Sequence, residues 1–302
     1  MTNPKMTPTK WRIEQSVQTR AGMQADAIVR RLGLSYPIDP LVIAKEERPR
    51  LRVGGRDFGE RFDGKLRYNS EKRCFGLLYN TKYDAGCRPG THHPRTRFSI
   101  AHELGHYHLE HHHAYLAHGG KSHASINEFR SKTLIEKEAD AFAASLLLPT
   151  GLVKPIVNSG ELSVARLEGI ATDFQTSLVS TAIRSVQLSH FPCALVGIRQ
   201  SAVAWTFPSE ALIEAGIYPN KGVLPRNATG PWAEFQTGVA DRTQNEGRVR
   251  DWFNTYERED FGQVFVTEEF VPVNSMGTLL VLITMDESDV APDDEEGDYD
   301  DG

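Results

Sequence analysis

The spacing of apolar and polar positions divides this chain into a largely helical first half and a mixed second half. Residues 1–20 read as a loose polar arm. Helical patterning follows over Ala21–Leu32, with a second short helix near Pro40–Glu47. Gly54–Tyr68, rich in Gly and charge, predicts turns and short strands, and Cys74–Asn80 has strand length and composition. Lys82–Pro94 carries Gly86, Pro89, Gly90 and Pro94 and predicts a loop. From Arg97 to His113 no proline intervenes, and Phe98, Ile100, Ala101, Leu104 and Leu109 give apolar residues at helical spacing. A polar loop through Asn127 precedes a stretch from Glu136 that is strongly helical by propensity and is ended by Pro149.

Beyond it, Leu162–Leu188 predicts two or three short helices. Leu162, Leu167, Ile170 and Phe174 form one apolar face, and Thr176-Ser177 form a turn and N-cap before Leu178–Val186. The pattern then changes. Pro192–Ile198, Ser201–Phe207, Gln263–Val271 and Met276–Met285 are strand candidates, while Pro208–Ala215 and Thr243–Tyr256 read as helical. The expected domains are 1–160, a helical segment at 161–189, a mixed antiparallel domain at 190–285 and a disordered acidic tail at 286–302. That tail carries ten acids and no base from Asp286 on.

The chemistry is concentrated in His102-Glu103-Leu104-Gly105-His106. On a helix, residues four apart share a face, so both imidazoles can point at one ion. Glu103, one residue round, is placed to take a proton from a water held there. Gly105 costs a helix about 1 kcal/mol against Ala, and close approach of a second helix would explain it. A zinc hydrolase needs a third protein ligand. Glu136, Ala139, Asp140, Ala143 and Leu147 fall on one face of the later helix, beginning with carboxylates and continuing with small residues. Glu136 is the candidate third ligand, and Asp140 is placed to hold a ligand histidine through its second ring nitrogen. Glu138, about 200° round from Glu136, is expected to face solvent.

Arg97-Phe98-Ser99-Ile100-Ala101-His102-Glu103-Leu104-Gly105-His106, followed by Glu136-x-x-Ala139-Asp140-x-Phe142-Ala143 and Leu146-Leu147-Leu148-Pro149, resembles the ImmA/IrrE metallo-endopeptidases. Ala25–Val29 through Pro37–Leu41 resembles that family's leading helix and turn, and Cys74–Asn80 the strand that borders its cleft. The resemblance implies zinc on His102, His106 and Glu136, with Glu103 as base. Asp140 stands where Asn is common. It implies an α+β fold: a mostly helical, zincin-like protease domain with a small antiparallel sheet, followed by a mixed α/β, GAF-like sensor domain. It also implies a substrate, a helix-turn-helix repressor whose cleavage releases genes of stress response, mobile-element transfer or phage defence.

Composition changes this picture at three points. The cysteines number three and form no C-x-x-C pair, which fits a reducing cytoplasm. No apolar run is long enough to span a membrane. Residues 1–160 hold 25 Lys+Arg against 16 Asp+Glu, and 161–302 hold 9 against 24. The basic half, with Arg48, Arg50, Arg52, Arg56, Lys65 and Arg67, could attract DNA or an acidic protein segment, although acids interleave with it. Cys87, in the loop before the motif helix, is a candidate inhibitory fourth zinc ligand that would displace the water and hold the enzyme silent. Tyr79, Tyr107 and nearby histidines are candidate oxyanion donors. The reading from a different class is a non-proteolytic zinc-containing regulator that binds a repressor or DNA. Glu103 argues against it, since a structural zinc site does not need a base.

Overall fold

The computed structural model describes residues 8–120, 124–125, 133–254 and 260–290. Two compact units emerge from the contacts: Met1–Val153 with Gly169–Thr181, and Lys154–Glu168 with Ala182–Gly302. The acidic segment beyond Val290, His123 and the end of the 121–132 loop lie outside the described residues.

In the first unit, α1 (Pro8–Leu32) starts well before Ala21, so the expected arm is helical from Pro8. Next come α2 (Pro40–Glu46), β1 (Leu51–Arg56), β2 (Gly64–Asn69), β3 (Cys74–Asn80), α3 (Pro94–His108), α4 (Glu110–Ala117), β4 (Ala124–Ser125) and α5 (Leu134–Leu147). Asp39 caps α2 by accepting from the Leu41 amide, and Pro40 occupies its first turn, where a missing N–H costs nothing. The sheet order is β1-β3-β2-β4. β3 pairs with β1 in parallel and with β2 antiparallel, so the sheet is mixed rather than antiparallel as expected. β3 is a central strand, and its backbone is therefore occupied on both sides. Leu51, Leu66, Phe75 and Leu77 turn one sheet face into a core shared with Ile100 and Leu104 of α3 and Phe142 and Leu146 of α5.

The helix predicted through His113 breaks after His108. Leu109 is extended (φ −72°, ψ 114°), and α4 sets off in a new direction. No proline or glycine marks this break, which is why the sequence did not reveal it.

α6 (Thr150–Val157), α7 (Val164–Phe174) and α8 (Leu178–Leu188) follow. Asp26 of α1 accepts from both the amide and the hydroxyl of Thr150 at the start of α6 (2.9 and 2.6 Å). Arg97 of α3, almost fully buried, donates to the carbonyls of Ile38 (2.6 Å) and Gln175 (3.1 Å), holding the end of α7. Phe174 stacks on Tyr36 with centroids 4.3 Å apart. Ser177 accepts from the Ser180 amide, the N-cap its sequence suggests.

The second unit is built on a five-stranded sheet of order β6-β5-β9-β8-β7, every pairing antiparallel. Its strands are β5 (Cys193–Arg199), β6 (Ala202–Pro208), β7 (Thr243–Arg248), β8 (Phe265–Val273) and β9 (Thr278–Thr284). Gln200 and Ser201, both at positive φ, make the tight β5–β6 turn. α9 (Glu210–Glu214), α10 (Thr229–Gln236) and α11 (Val249–Trp252) complete the unit, and Trp232, Trp252 and Phe253 meet Phe270, Val281 and Ile283 in its core. Thr243–Tyr256, expected as a helix, begins instead as an edge strand. Its Thr243–Arg248 segment pairs with β8 although only Gly247 is buried, so backbone pairing and not an apolar pattern makes it a strand.

Candidate metal and catalytic centre

α3 begins at Pro94, with His93 as N-cap. Its residues from Thr96 to Tyr107 are buried with the exception of Phe98. Such a helix can carry polar side chains only if they find partners. His102 and His106 find them in each other and in α5. Their Nε2 atoms lie 3.2 Å apart. Glu136, on the first turn of α5, reaches His102 Nε2 at 3.2 Å and His106 Nε2 at 3.6 Å. Thr133 caps that turn by accepting from the Glu136 amide.

Gly105 allows this approach. A Cβ at that position would meet Ala139 Cα and Phe142 Cβ at 3.2 Å, so α5 lies against the backbone of α3 as the small-residue face implied.

The donor set fits zinc. Two imidazole nitrogens and a carboxylate converge within 4.8 Å of one another. Four-coordinate tetrahedral zinc with bonds of about 2.0–2.1 Å holds its ligand atoms about 3.3 Å apart, close to the separations here. Two imidazole Nε2 atoms facing one another at 3.2 Å are readily explained by a shared cation. His102 Nδ1 lies 2.8 Å from Asp140 Oδ1, which fixes the proton of the neutral ring there and turns Nε2, the atom that would bind a metal, toward Glu136. Glu103 is buried beside them, about 1% exposed.

The charges respond accordingly. Burial works to lower the His102 pKa, but hydrogen bonds to Asp140 and Glu136 outweigh it and raise it to about 10 in the metal-free protein. Burial works to raise the Glu136 pKa, yet the same imidazole partners hold its carboxyl well below the usual range. A pocket that so strongly favours a positive charge between its carboxylates suits a cation.

The other expected residues separate. Cys87 is a partly buried free thiol outside the His102–His106–Glu136 cluster. Tyr107 belongs to the core: its hydroxyl donates to Glu47 Oε2, and burial raises its pKa to about 12. Tyr79 is half-buried on β3, edge-on to His92. His118 Nδ1 meets the Ala114 carbonyl at the end of α4, where a histidine complements the helix dipole. His92 ties down the 82–94 loop through Asp84 at 2.6 Å.

Glu138 corrects the sequence reading. It is buried rather than solvent-facing, and its Oε2 receives His111 Nε2 at 3.0 Å and His112 Nε2 at 3.1 Å. The break at Leu109 brings His111 and His112 of α4 to Glu138, on the side of α5 that helical periodicity assigned to water. Burial lowers the His112 pKa to about 4, so this ring is neutral at physiological pH.

Residues 88–185 match the Peptidase_M78 family, described as the IrrE N-terminal-like domain. The match takes in α3, α5 and the metal-type cluster, and it bears out the resemblance read from the motifs. A solved Mycobacterium tuberculosis transcriptional regulator is similar at a TM-score of 0.54 and 10% identity, over 90% of this chain and 77% of that one. At that identity the likeness concerns fold alone. No curated protein matches the chain. No single described helix is long and apolar enough to cross a membrane.

Proposed function

We propose that this IrrE-like chain is a zinc-dependent, site-specific endopeptidase whose substrate is a helix-turn-helix transcriptional repressor. The observation that carries the reading is the convergence of His102, His106 and Glu136 beside a buried Glu103. His102, His106 and Glu136 would hold the metal, leaving one position of a tetrahedral set open. Bound zinc supplies a water acidified to a pKa of about 7 and a Lewis acid for the scissile carbonyl.

The chain's own residues do the rest. Glu103 accepts the proton of the attacking water and passes it to the leaving amine. Asp140 keeps the His102 proton on Nδ1. α3 buries its side of the site, where the low polarity strengthens these interactions, while Glu136 and Asp140 stay partly exposed. Cys87 would join the three donors as an inhibitory ligand only after movement of its loop, since it stands outside their cluster.

The second unit, with its antiparallel sheet and one-sided aromatic core, fits a GAF-like sensor that holds the enzyme inactive until a signal arrives. The exposed bases Arg52, Arg56 and Arg67 on the first sheet suit a DNA ligand of the first unit, a second candidate signal.

The test is Glu103→Gln assayed on the repressor encoded beside this gene. Zinc content should stay near that of the wild type while cleavage disappears. A mutant that still cuts would remove Glu103 from the mechanism. One that fails to cut yet keeps full biological activity would favour the non-proteolytic regulator.

A further inference from the structure

The two ligand histidines are oriented differently. His102 rests directly on a carboxylate, Asp140. His106 turns its far nitrogen, Nδ1, to a second ring, with His112 Nδ1 3.1 Å away. The other nitrogen of that ring, Nε2, lies 3.1 Å from Glu138 Oε2. His106, His112 and Glu138 are all buried, at 3%, 3% and 7% exposure.

Each neutral imidazole has one N–H and one lone pair, so the proton positions follow from one another. A His106 that offers its Nε2 lone pair to the centre must carry its proton on Nδ1. It donates that proton to His112 Nδ1, which must therefore be bare. His112 then carries its own proton on Nε2 and donates it to Glu138. The carboxylate ends the chain as an acceptor. The opposite tautomer of His112 would set two N–H groups face to face.

We propose that His112 and Glu138 are positioning residues that lock His106 in its metal-binding tautomer. The proposal rests on the zinc reading of the site. Two other roles for His112 fit less well. Its spacing from the motif matches the third ligand of H-E-x-x-H-x-x-G-x-x-H proteases. Here, however, Leu109 stands at the glycine position and the His112 ring lies behind His106, Nδ1 to Nδ1. By distance, His111, His112 and Glu138 could also hold an ion. That would require a bare His112 Nε2 and push its proton to Nδ1, which reverses the chain and puts the His106 proton on Nε2. The two ion positions therefore exclude each other, and a loaded first site leaves the second as hydrogen bonds.

The experiment uses the full chain with His112→Leu, His112→Gln and Glu138→Gln. Zinc affinity is measured by chelator competition, and the cobalt-substituted protein by its visible absorption. Loss of an orienting partner of a ligand typically costs 10–100-fold in metal affinity, and His112→Leu should fall within about that range with an altered cobalt spectrum. His112→Gln offers an acceptor to His106 and a donor to Glu138, and it should recover affinity to within about threefold of wild type. Glu138→Gln, which keeps the shape and removes the charge, should lose affinity by about three- to tenfold and serves if His112→Leu does not fold.

Wild-type affinity in all three variants would overturn the proposal. So would equal weakness of His112→Leu and His112→Gln, which would mark a packing role. Loss of a second zinc with the first unaffected would make the His111–His112–Glu138 group an ion site in its own right. By contrast, zinc retained after His102→Ala would refute the primary site itself.

Discussion

Gly105→Ala adds one methyl group where α3 and α5 are closest. The new Cβ would meet Ala139 Cα and Phe142 Cβ at 3.2 Å and the Ala139 carbonyl oxygen at 3.3 Å. Carbon atoms rest comfortably at about 3.5–4.0 Å, so α5 must retreat by a few tenths of an ångström. Ala gains about 1 kcal/mol in helix propensity over Gly, and overpacking costs about 1–3 kcal/mol, a net loss of about 0–2 kcal/mol. The larger effect falls on the metal. His102 and His106 ride on α3, whereas Glu136 and Asp140 ride on α5. Retreat of α5 widens the 3.2 and 3.6 Å separations at once. Zinc affinity should fall about tenfold, the low end of what misplaced ligand support costs. Chelator competition reads the affinity, and thermal unfolding of the metal-free protein reads the packing cost. A variant that binds zinc like wild type and unfolds at the same temperature or higher would refute the close-approach argument.

Three further outcomes follow from the same contacts. Asp140→Ala removes the Nδ1 partner of His102 and should weaken zinc binding about 10–100-fold, whereas Asp140→Asn, which still accepts a hydrogen bond, should lose much less. In the metal-free protein, burial lowers the pKa of His108 and of His112 to about 4. At these two rings the unfolded chain therefore binds more protons between about pH 6.5 and 4, so denaturant unfolding should show a progressive loss of stability as pH falls from about 6.5 toward 4, separate from the loss that the raised His102 brings as pH rises toward about 10. A flat profile there would contradict the buried neutral rings. In the second unit, Glu268 is fully buried, with Oε1 accepting from Trp252 and Asn227 and Oε2 unpartnered. Desolvation raises its pKa, so its contribution is lost as pH rises through the folded value, and Glu268→Gln should gain on wild type as pH rises above 4.5. A constant difference across that range would count against an ionising Glu268.

The clustering of His102, His106 and Glu136 was legible because it depends on local spacing. His102 and His106 share a helical face by arithmetic alone, and Glu136 and Asp140 repeat the pattern on α5. Gly105 announced the contact between the two helices. What escaped was set by chain direction. The break at Leu109 carries no turn residue, so helical periodicity gives His112 no partner on α5 and points Glu138 to solvent. The strand β7 escaped for a related reason: Thr-Gln-Asn-Glu-Gly-Arg has no apolar alternation, and its pairing with β8 comes from backbone groups that composition does not report. The mixed sheet likewise depends on β1 lying parallel to β3, a long-range choice that neither strand encodes alone.

The central claim is that His102, His106 and Glu136 hold one zinc ion beside Glu103. Zinc content of the purified full chain, measured beside His102→Ala and Glu136→Ala under the same reconstitution, tests it most directly. The account predicts about one zinc per wild-type chain and close to none in either variant. Zinc that persists undiminished in both variants, or a wild-type chain that takes up none, would contradict it.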